Sequence, residues 1–120
     1  MHENFSESEF KCNCGTCGKG FNDLNAISFG RLCTARTLAG VPFIILSSIR
    51  CHTQNSISGG AENSSHLTGN AFDIKATDSR IRFKIIEACL NAGFRRIGVS
   101  RGFVHVDDDQ TKNQEVAWLY

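Results

Sequence analysis

Residues 64–75 read SSHLTGNAFDIK and join a polar turn to a short segment typical of a buried strand. The small residues Gly69 and Ala71 allow the backbone to turn tightly here. That turn brings the imidazole of His66 and the carboxylate of Asp73 towards one point. Asp73 stands among apolar neighbours, where burial of an unpaired carboxylate would be costly. Because a cation removes that cost, the stretch predicts a metal site carried by a strand.

A second segment supplies a third ligand. Residues 103–107 read FVHVD, so His105 also lies among apolar side chains. Two imidazoles and one carboxylate form a ligand set that Zn²⁺ accepts at ~2.0–2.2 Å. Three protein ligands leave a fourth position for water, which is the pattern of a catalytic zinc site rather than a structural one. The residues therefore predict a small metallohydrolase with Zn²⁺ bound by His66, Asp73 and His105.

The role of Asp107 has three alternatives. Asp107 lies two residues after His105, and two such side chains share one face of a strand. It can orient the ligand histidine, or it can act as the general base on the attacking water. It can also simply begin a solvated acidic turn made of Asp107, Asp108 and Asp109. The sequence leaves these roles open.

Arg50 ends the buried strand in Ser47-Ser48-Ile49-Arg50. It lies at the start of residues 50–65, a stretch that is rich in Ser, Asn and Gly. A guanidinium at this place can clamp a substrate carboxylate through two parallel hydrogen bonds, or it can stabilise an oxyanion. We therefore predict that Arg50 is a catalytic and substrate-binding residue. An ordinary surface arginine is the alternative, which spacing alone does not exclude.

The remaining pattern predicts an α+β domain. Two helices have apolar residues at helical spacing, one capped by Asn22 or Asp23 and ending at Ala39, the other capped by Asp78 or Ser79 and ending at Asn91. Strands are expected at 43–47, 71–75, 97–99 and 103–106, with a long loop at 50–65. The closing Trp118-Leu119-Tyr120 is expected to pack back on the sheet. This order suits a mostly antiparallel sheet packed against two helices.

The composition limits the domain count and the partners. A chain of 120 residues has room for one domain, 1–120, whose residues 1–20 are rich in Cys and Gly. A net charge of +1 gives no reason to expect capture by nucleic acid. The longest apolar stretch, 41–46, is too short for membrane insertion. We therefore expect a monomer that recognises its substrate by local geometry.

Four of the six cysteines form a possible second cluster. Cys12, Cys14 and Cys17 form C-x-C-x-x-C, and a thiolate zinc site would need Cys51 as the fourth ligand. A disulfide framework is not the default in a chain without a secretion signal. A second zinc, disulfides and free thiols are therefore all open. The other two cysteines lie on apolar faces of predicted helices and are expected to be buried.

The two metal segments together resemble the M15 family of zinc D-Ala-D-Ala peptidases. The resemblance rests on S-x-H-x-x-G-x-A-x-D at 64–73 and H-x-D at 105–107. Further similarity lies in Ser47-Ser48-Ile49-Arg50, Asn55, Gly59-Gly60-Ala61, Trp118-x-Tyr120 and Phe10-x-Cys12-x-Cys14. The family includes bacterial carboxypeptidases and phage endolysins, and it shares its fold with the hedgehog signalling domain. The resemblance implies that fold, Zn²⁺ as cofactor on the three ligands, and substrate contacts by Arg50 and Ser64.

The chain departs from the family pattern next to the last ligand. Many relatives place a catalytic acid three residues before the last histidine, where this chain has Gly102. Others place a histidine two residues before it, where this chain has Phe103. The resemblance therefore leaves the general base unassigned. Asp107 is our candidate for that base, and Glu62 in the long loop is a second one.

The function that the resemblance implies is hydrolysis of peptide bonds in the stem peptides or cross-links of bacterial peptidoglycan, by a phage or prophage endolysin. Residues 1–7 lack the basic start and apolar run of a secretion signal. We therefore expect synthesis in the cytoplasm and action on the cell wall, in the periplasm, after release by a partner such as a holin. Two alternatives are a housekeeping D-Ala-D-Ala carboxypeptidase and a non-catalytic zinc-containing binding domain, which the departure at Gly102 would favour.

Overall fold

The computed structural model describes residues 3–120, which form one mixed sheet and three α-helices. The helices are α1 Ala26–Ala39, α2 His52–Ile57 and α3 Ser79–Ala92. The strands are β1 Ile45–Ser47, β2 Ala71–Lys75, β3 Arg96–Val99, β4 Phe103–Asp107 and β5 Val116–Leu119. Two short 3₁₀ turns, Glu7–Phe10 and Phe21–Asp23, precede α1.

The sheet has the order β1-β2-β4-β3-β5. Neighbouring strands are antiparallel except β3 and β5, which run parallel at one edge. The predicted α+β class, with a mostly antiparallel sheet against two helices, is confirmed. The closing residues pack back on the sheet as expected, and they do so as the edge strand β5.

The pleat of the two central strands separates the core from a polar face. Successive side chains of a strand point to opposite faces. Four large apolar side chains of β2 and β4 are fully buried and lie on one face: Phe72, Ile74, Val104 and Val106. Asp73 and His105 alternate with them and therefore lie on the other face. Burial of the first set against the helices fixes the orientation of the second.

Helices α1 and α3 pack against each other and cover the apolar face of the sheet. Each begins at a side-chain cap, since Asn25 accepts from the N–H of Ser28 and Asp78 accepts from the first turn of α3. Each ends at a glycine in the left-handed region, Gly40 and Gly93. Within residues 3–120, none of the helices is both long and apolar enough to cross a bilayer.

Two sequence-based expectations about local structure are wrong. The cap of α1 is Asn25 rather than Asn22 or Asp23, because the Asp23 carboxylate accepts from the Gly20 N–H at 2.9 Å and closes the preceding 3₁₀ turn. The long loop at 50–65 contains α2, whose polar sequence HTQNSI gives no apolar periodicity. A thiol caps this helix, since the Cys51 sulfur accepts from the N–H of the third helical residue at 3.4 Å.

The N-terminal segment is held on the core by Phe5 and Phe10, which are 4% and 0% exposed. The two rings meet edge to face with centroids 5.5 Å apart. Phe10 also contacts the rings of Phe29 on α1 and Phe72 on β2, at 5.4 and 6.2 Å. Such aromatic pairs stabilise beyond their buried area. The cysteine-containing loop that follows is therefore fixed at its start.

Candidate metal centre

His66, Asp73 and His105 converge on the polar face of the sheet. The antiparallel register places Asp73 of β2 directly opposite His105 of β4. His66 reaches them from the turn that precedes β2. That turn requires Gly69, which has a φ of 74° and lies so close to Asp23 that a Cβ would come within 2.5 Å of its carbonyl oxygen. The three side chains are thus positioned by one strand pair and one tight turn.

The ring nitrogens that face Asp73 carry no proton when the rings are neutral. Nδ1 of His66 lies 2.7 Å from the carbonyl oxygen of Ser48, which can only accept, so Nδ1 is the donor. Nε2 of His66 then presents its lone pair to Asp73 Oδ1 at 3.3 Å. Nε2 of His105 lies 2.7 Å from Asp107 Oδ2 and Nδ1 lies 3.0 Å from Asp73 Oδ1, so we assign the proton of the neutral ring to the shorter contact, with Asp107.

Two imidazole lone pairs and a carboxylate oxygen therefore meet at one point, and they repel one another unless positive charge lies between them. Ligand atoms of a tetrahedral site with bonds of ~2.0–2.1 Å are about 3.3 Å apart. The separations of 3.3 and 3.0 Å found here are close to that value. The chemistry and spacing of His66, Asp73 and His105 fit Zn²⁺.

The electrostatics of the site keep Asp73 ionised and favour positive charge beside it. Burial would raise the pKa of Asp73, but His105 and His66, which in their protonated forms donate hydrogen bonds to it and carry positive charge, outweigh burial and hold this pKa well below its usual range. Burial would lower the pKa of His105, but hydrogen bonds to Asp107 and Asp73 outweigh burial and raise it. A cation at this site therefore competes with a proton for the His105 ring.

Asp107 stands behind His105 and holds that ring in place. Its Oδ2 accepts from His105, and its Oδ1 accepts from Nε of Arg96 at 2.8 Å. The solvated acidic turn, one of the alternatives from sequence, is wrong, because Asp107, Asp108 and Asp109 are only 1%, 4% and 8% exposed. A buried carboxylate that receives an imidazole N–H fixes the tautomer in which the other nitrogen can bind metal.

Arg50 is buried beside the site, which excludes the surface-arginine alternative. Its Nη2 lies 3.4 Å from Asp73 Oδ2, its Nη1 donates to Asn55 Oδ1 at 3.2 Å, and its Nε donates to Ser47 Oγ at 3.0 Å. A guanidinium has five N–H groups, so two remain for a ligand. Gly60 leaves room for this arrangement, because a Cβ there would collide with the Asn55 amide and lie 2.9 Å from Arg50 Nη1.

An open cavity of about 460 Å³ lies over the three candidate ligands. Phe103, Trp118 and Tyr120 form an aromatic wall, which we define by these three residues. The rings of Phe103 and Tyr120 are 5.0 Å apart, and that of Trp118 is 5.4 Å from His105. Gly98 of β3 makes the wall possible, because a Cβ there would lie 2.6 Å from the indole nitrogen. The cavity therefore combines a polar floor with an apolar side.

The other residues predicted to act at the site differ in their positions. Ser64 lines the cavity, and its hydroxyl accepts from the backbone N–H of His66 at 3.2 Å. Glu62 is exposed and does not line the cavity. Two cations of the cavity lining, Arg96 and Lys112, were not predicted from the sequence. Arg96 could have been found only from the strand register, which pairs it with Asp107.

Two histidines and a carboxylate presented by a sheet at the floor of an open cavity are the arrangement typical of one class of protein, the metallohydrolases. The peptidase M15 family model matches residues 3–107, and the chain belongs to this family, as predicted. The match includes all three candidate ligands and ends before β5. No curated protein matches the chain. M15 peptidases are typically zinc-dependent, so family and site agree on a zinc peptidase of the general kind.

Proposed function

We propose that this peptidase hydrolyses peptide bonds in the stem peptides or cross-links of bacterial peptidoglycan, with Zn²⁺ held by His66, Asp73 and His105. One observation carries the proposal. Two unprotonated imidazole nitrogens and a carboxylate oxygen of Asp73 converge at the floor of an open cavity, beside the buried Arg50. When bound, zinc polarises a scissile carbonyl and lowers the pKa of a water molecule.

Arg50 is the residue that we propose to bind the substrate's negative charge. Three of its N–H groups are engaged by Ser47, Asn55 and Asp73, which fixes the guanidinium plane. The remaining two N–H groups can receive a carboxylate or the oxyanion that develops at the scissile carbonyl. Because the guanidinium is already fixed, little conformational entropy is lost when the substrate binds.

The cavity lining suits a short peptide that carries a free carboxylate. Arg50, Arg96 and Lys112 contribute positive charge, while the aromatic wall offers an apolar surface on the other side. Stem peptides carry free carboxylates next to small apolar side chains, so both parts of the lining would be used. Ser64 lies where its hydroxyl can contact the peptide backbone, and we propose it as a substrate-binding residue.

The contacts of Asp107 favour the orienting role among those predicted for it. Both carboxylate oxygens are engaged, one by His105 and the other by Arg96. Asp107 is also only 1% exposed, which leaves the attacking water little access to its carboxylate. Among residues 3–120, the carboxylates that line the cavity are Asp73 and Asp107, so Glu62 is the weaker candidate for the base.

We further propose the lytic context that the resemblance implies, a phage or prophage endolysin that acts on the cell wall after release by a holin-like partner. The similarity of Phe10-x-Cys12-x-Cys14 to short members of the family supports this choice. A D-Ala-D-Ala carboxypeptidase is the second candidate. One observation favours it, namely the two N–H groups of Arg50 that can clamp a terminal carboxylate.

Digestion of purified peptidoglycan tests the proposal. We expect soluble fragments in which a stem peptide or cross-link is cut, identified by mass spectrometry, and we expect a chelator to abolish their release. The variant His66→Ala is the matched negative control. Release of D-Ala alone would support the carboxypeptidase instead. A zinc-loaded protein that cuts neither peptidoglycan nor its soluble peptides would contradict an enzyme and support a binding domain.

A further inference from the structure

A second group of potential ligands lies away from the cavity, where the N-terminal loop meets the start of α2. Cys12, Cys14 and Cys17 come from the loop, and Cys51 is the cap of α2. The four sulfur atoms all lie within 4.8 Å of one another, and those of Cys12 and Cys51 are 3.8 Å apart. None of the four takes part in the candidate metal centre.

The sulfur positions suit one ion better than two disulfides. Zinc binds thiolate sulfur at about 2.3 Å, so two ligands of a tetrahedral site are about 3.8 Å apart. The separation between Cys12 and Cys51 equals that value. A pair of disulfides would divide the four sulfurs into two bonded couples, whereas here they form one group.

Each of the four sulfurs also accepts at least one backbone N–H. Cys14 accepts from Thr16 and Cys17, at 3.4 and 3.3 Å. The other three sulfurs each accept one N–H at 3.4 Å, Cys17 from Lys19, Cys12 from Cys51 and Cys51 from Gln54. A neutral thiol is a weak acceptor, whereas a thiolate is strengthened by such donors. Backbone donors therefore reach all four sulfurs, which suits thiolate ligands of a metal ion.

Two glycines form the turns that bring these backbone N–H groups close to the sulfur atoms. Gly15 and Gly18 have φ values of 73° and 79°, which side-chain-bearing residues rarely adopt. A Cβ at either position would meet nothing within 4 Å. The glycines therefore serve backbone conformation rather than close packing, and the conformation they allow turns the N–H groups towards sulfur.

We propose that Cys12, Cys14, Cys17 and Cys51 bind a structural Zn²⁺ as four thiolates. A site with four protein ligands has no position for substrate, so the ion stabilises the fold and takes no part in hydrolysis. It ties the N-terminal loop to α2, which also carries Asn55. This inference does not depend on the proposed function, because it concerns other residues and another ion.

Metal analysis of the full chain, purified under reducing conditions, tests the inference. We expect two zinc ions per chain in the wild type and one in His66→Ala. We expect one zinc in the double variant Cys14→Ala/Cys17→Ala, whose residues are not fully buried, and two in the matched control Cys33→Ala. After reconstitution with Co²⁺, the sulfur-to-cobalt charge-transfer absorption should persist in His66→Ala and vanish in the double cysteine variant.

Several results would overturn the inference. One zinc in the wild type together with six titratable thiols would mean that the cluster is free. An intact mass lowered by the loss of hydrogens would mean disulfides, and bound iron with visible absorption would refute the choice of zinc. If the double variant does not fold, the wild type and His66→Ala still decide, because His66→Ala must retain one thiolate-bound ion. A loss of peptidase activity alone, with the thiolate-bound zinc retained, would contradict the proposed function and not this inference.

Discussion

The two clusters of potential metal ligands in this protein are supported by different kinds of backbone. His66, Asp73 and His105 rest on the central strands β2 and β4 and on the turn that leads into β2. The cysteine cluster, defined as Cys12, Cys14, Cys17 and Cys51, rests on a loop and on a helix cap. The first offers three ligands at the floor of an open cavity, and the second offers four, which is a full set of ligands for a tetrahedral ion. The number of ligands thus separates a reactive site from a structural one.

The clusters also differ in what orients their ligands. Two ligands of the sheet-borne site (His66, Asp73 and His105) are held by residues distant in sequence, His66 by Ser48 and Asp73 by Arg50. The third, His105, is held by Asp107, which is itself fixed by Arg96 of the neighbouring strand. Most of the sulfurs are held by backbone N–H groups two or three residues away. The sheet-borne site therefore depends on the whole fold, whereas the cysteine cluster depends mainly on local turns.

The largest effect is expected for His105→Ala. Removing one of three ligands should release the active-site zinc, and because metal catalysis contributes several kcal/mol, the rate should fall by about 10³-fold or more. Peptidase assays and metal content check this, and one zinc should remain per chain. If both ions were lost, the two clusters would not be independent. Retention of both zinc ions would show that His105 is not a ligand.

A smaller loss is expected for Arg50→Ala. Removing a preorganised donor to a developing oxyanion costs about 10²–10³-fold in kcat, while the three metal ligands remain. Arg50→Lys is the matched variant, since it keeps the charge but loses the paired N–H groups. Steady-state kinetics and metal content separate the roles. An unchanged kcat with a raised KM would limit Arg50 to substrate binding.

The difference between the clusters also explains what the sequence could predict about the fold. Strand β2 was predicted with its observed bounds, because its apolar residues stand on either side of one carboxylate. Helix α3 was predicted from its apolar face and its Asp78 cap. Helix α2 was missed because five polar residues and a single isoleucine, capped by Cys51, carry no periodic signal. The parallel pairing of β5 with β3 depends on long-range contacts that no local pattern encodes.

The candidate site, like the fold, could be predicted from the sequence only in part. The sequence predicted which side chains would converge, because Asp73 and His105 in apolar strands are costly to bury alone and the tight turn at Gly69 brings His66 towards Asp73. It did not predict Arg96, which meets Asp107 only through the register of β3 and β4. Nor did it predict the carbonyl of Ser48, since every residue has one. Residues with distinctive chemistry can be read from a sequence, whereas partners brought by tertiary structure cannot.

A smaller effect than for Arg50→Ala, and one on metal affinity, is expected for Asp107→Asn. Loss of the carboxylate that orients a ligand histidine typically lowers metal affinity by about 10–100-fold. Competition with a chromophoric chelator measures this affinity, and Asp109→Asn is the matched control because Asp109 bonds Ser65 and Thr111 rather than His105. If affinity is unchanged and the acidic limb of the pH–rate profile disappears, Asp107 is the general base instead.

Acid should weaken the sheet-borne site. The pKa of His105 is raised above its usual value, so without metal its ring stays protonated up to a higher pH than usual. Zinc must displace that proton, so affinity should fall by about tenfold per pH unit below the raised pKa and level off above it. Calorimetry in buffers of different ionisation enthalpy should record proton release on binding. A pH-independent affinity between pH 5 and pH 8 would contradict this assignment.

The smallest effect on catalysis is expected when the cysteine cluster is removed. This change tests whether the cysteine cluster affects the sheet-borne site. Cys51 directly follows Arg50 and caps α2, whose Asn55 holds the guanidinium of Arg50. Loosening α2 should therefore disturb Arg50 without touching the zinc ligands. A coupling of about 1 kcal/mol is typical of such indirect links, and it corresponds to roughly fivefold in kcat/KM.

The double variant Cys14→Ala/Cys17→Ala measures this coupling, with Cys33→Ala as control. We expect a lower unfolding temperature, a severalfold lower kcat/KM and an unchanged affinity for the active-site zinc. Combining it with Arg50→Ala gives the decisive comparison, because the cysteine substitutions should have no further effect on kcat/KM once Arg50 is absent. If the two losses instead multiply, the cysteine cluster acts on catalysis by some route other than Arg50. If kcat/KM does not change at all, the cysteine cluster stabilises the fold and the sheet-borne site works independently of it.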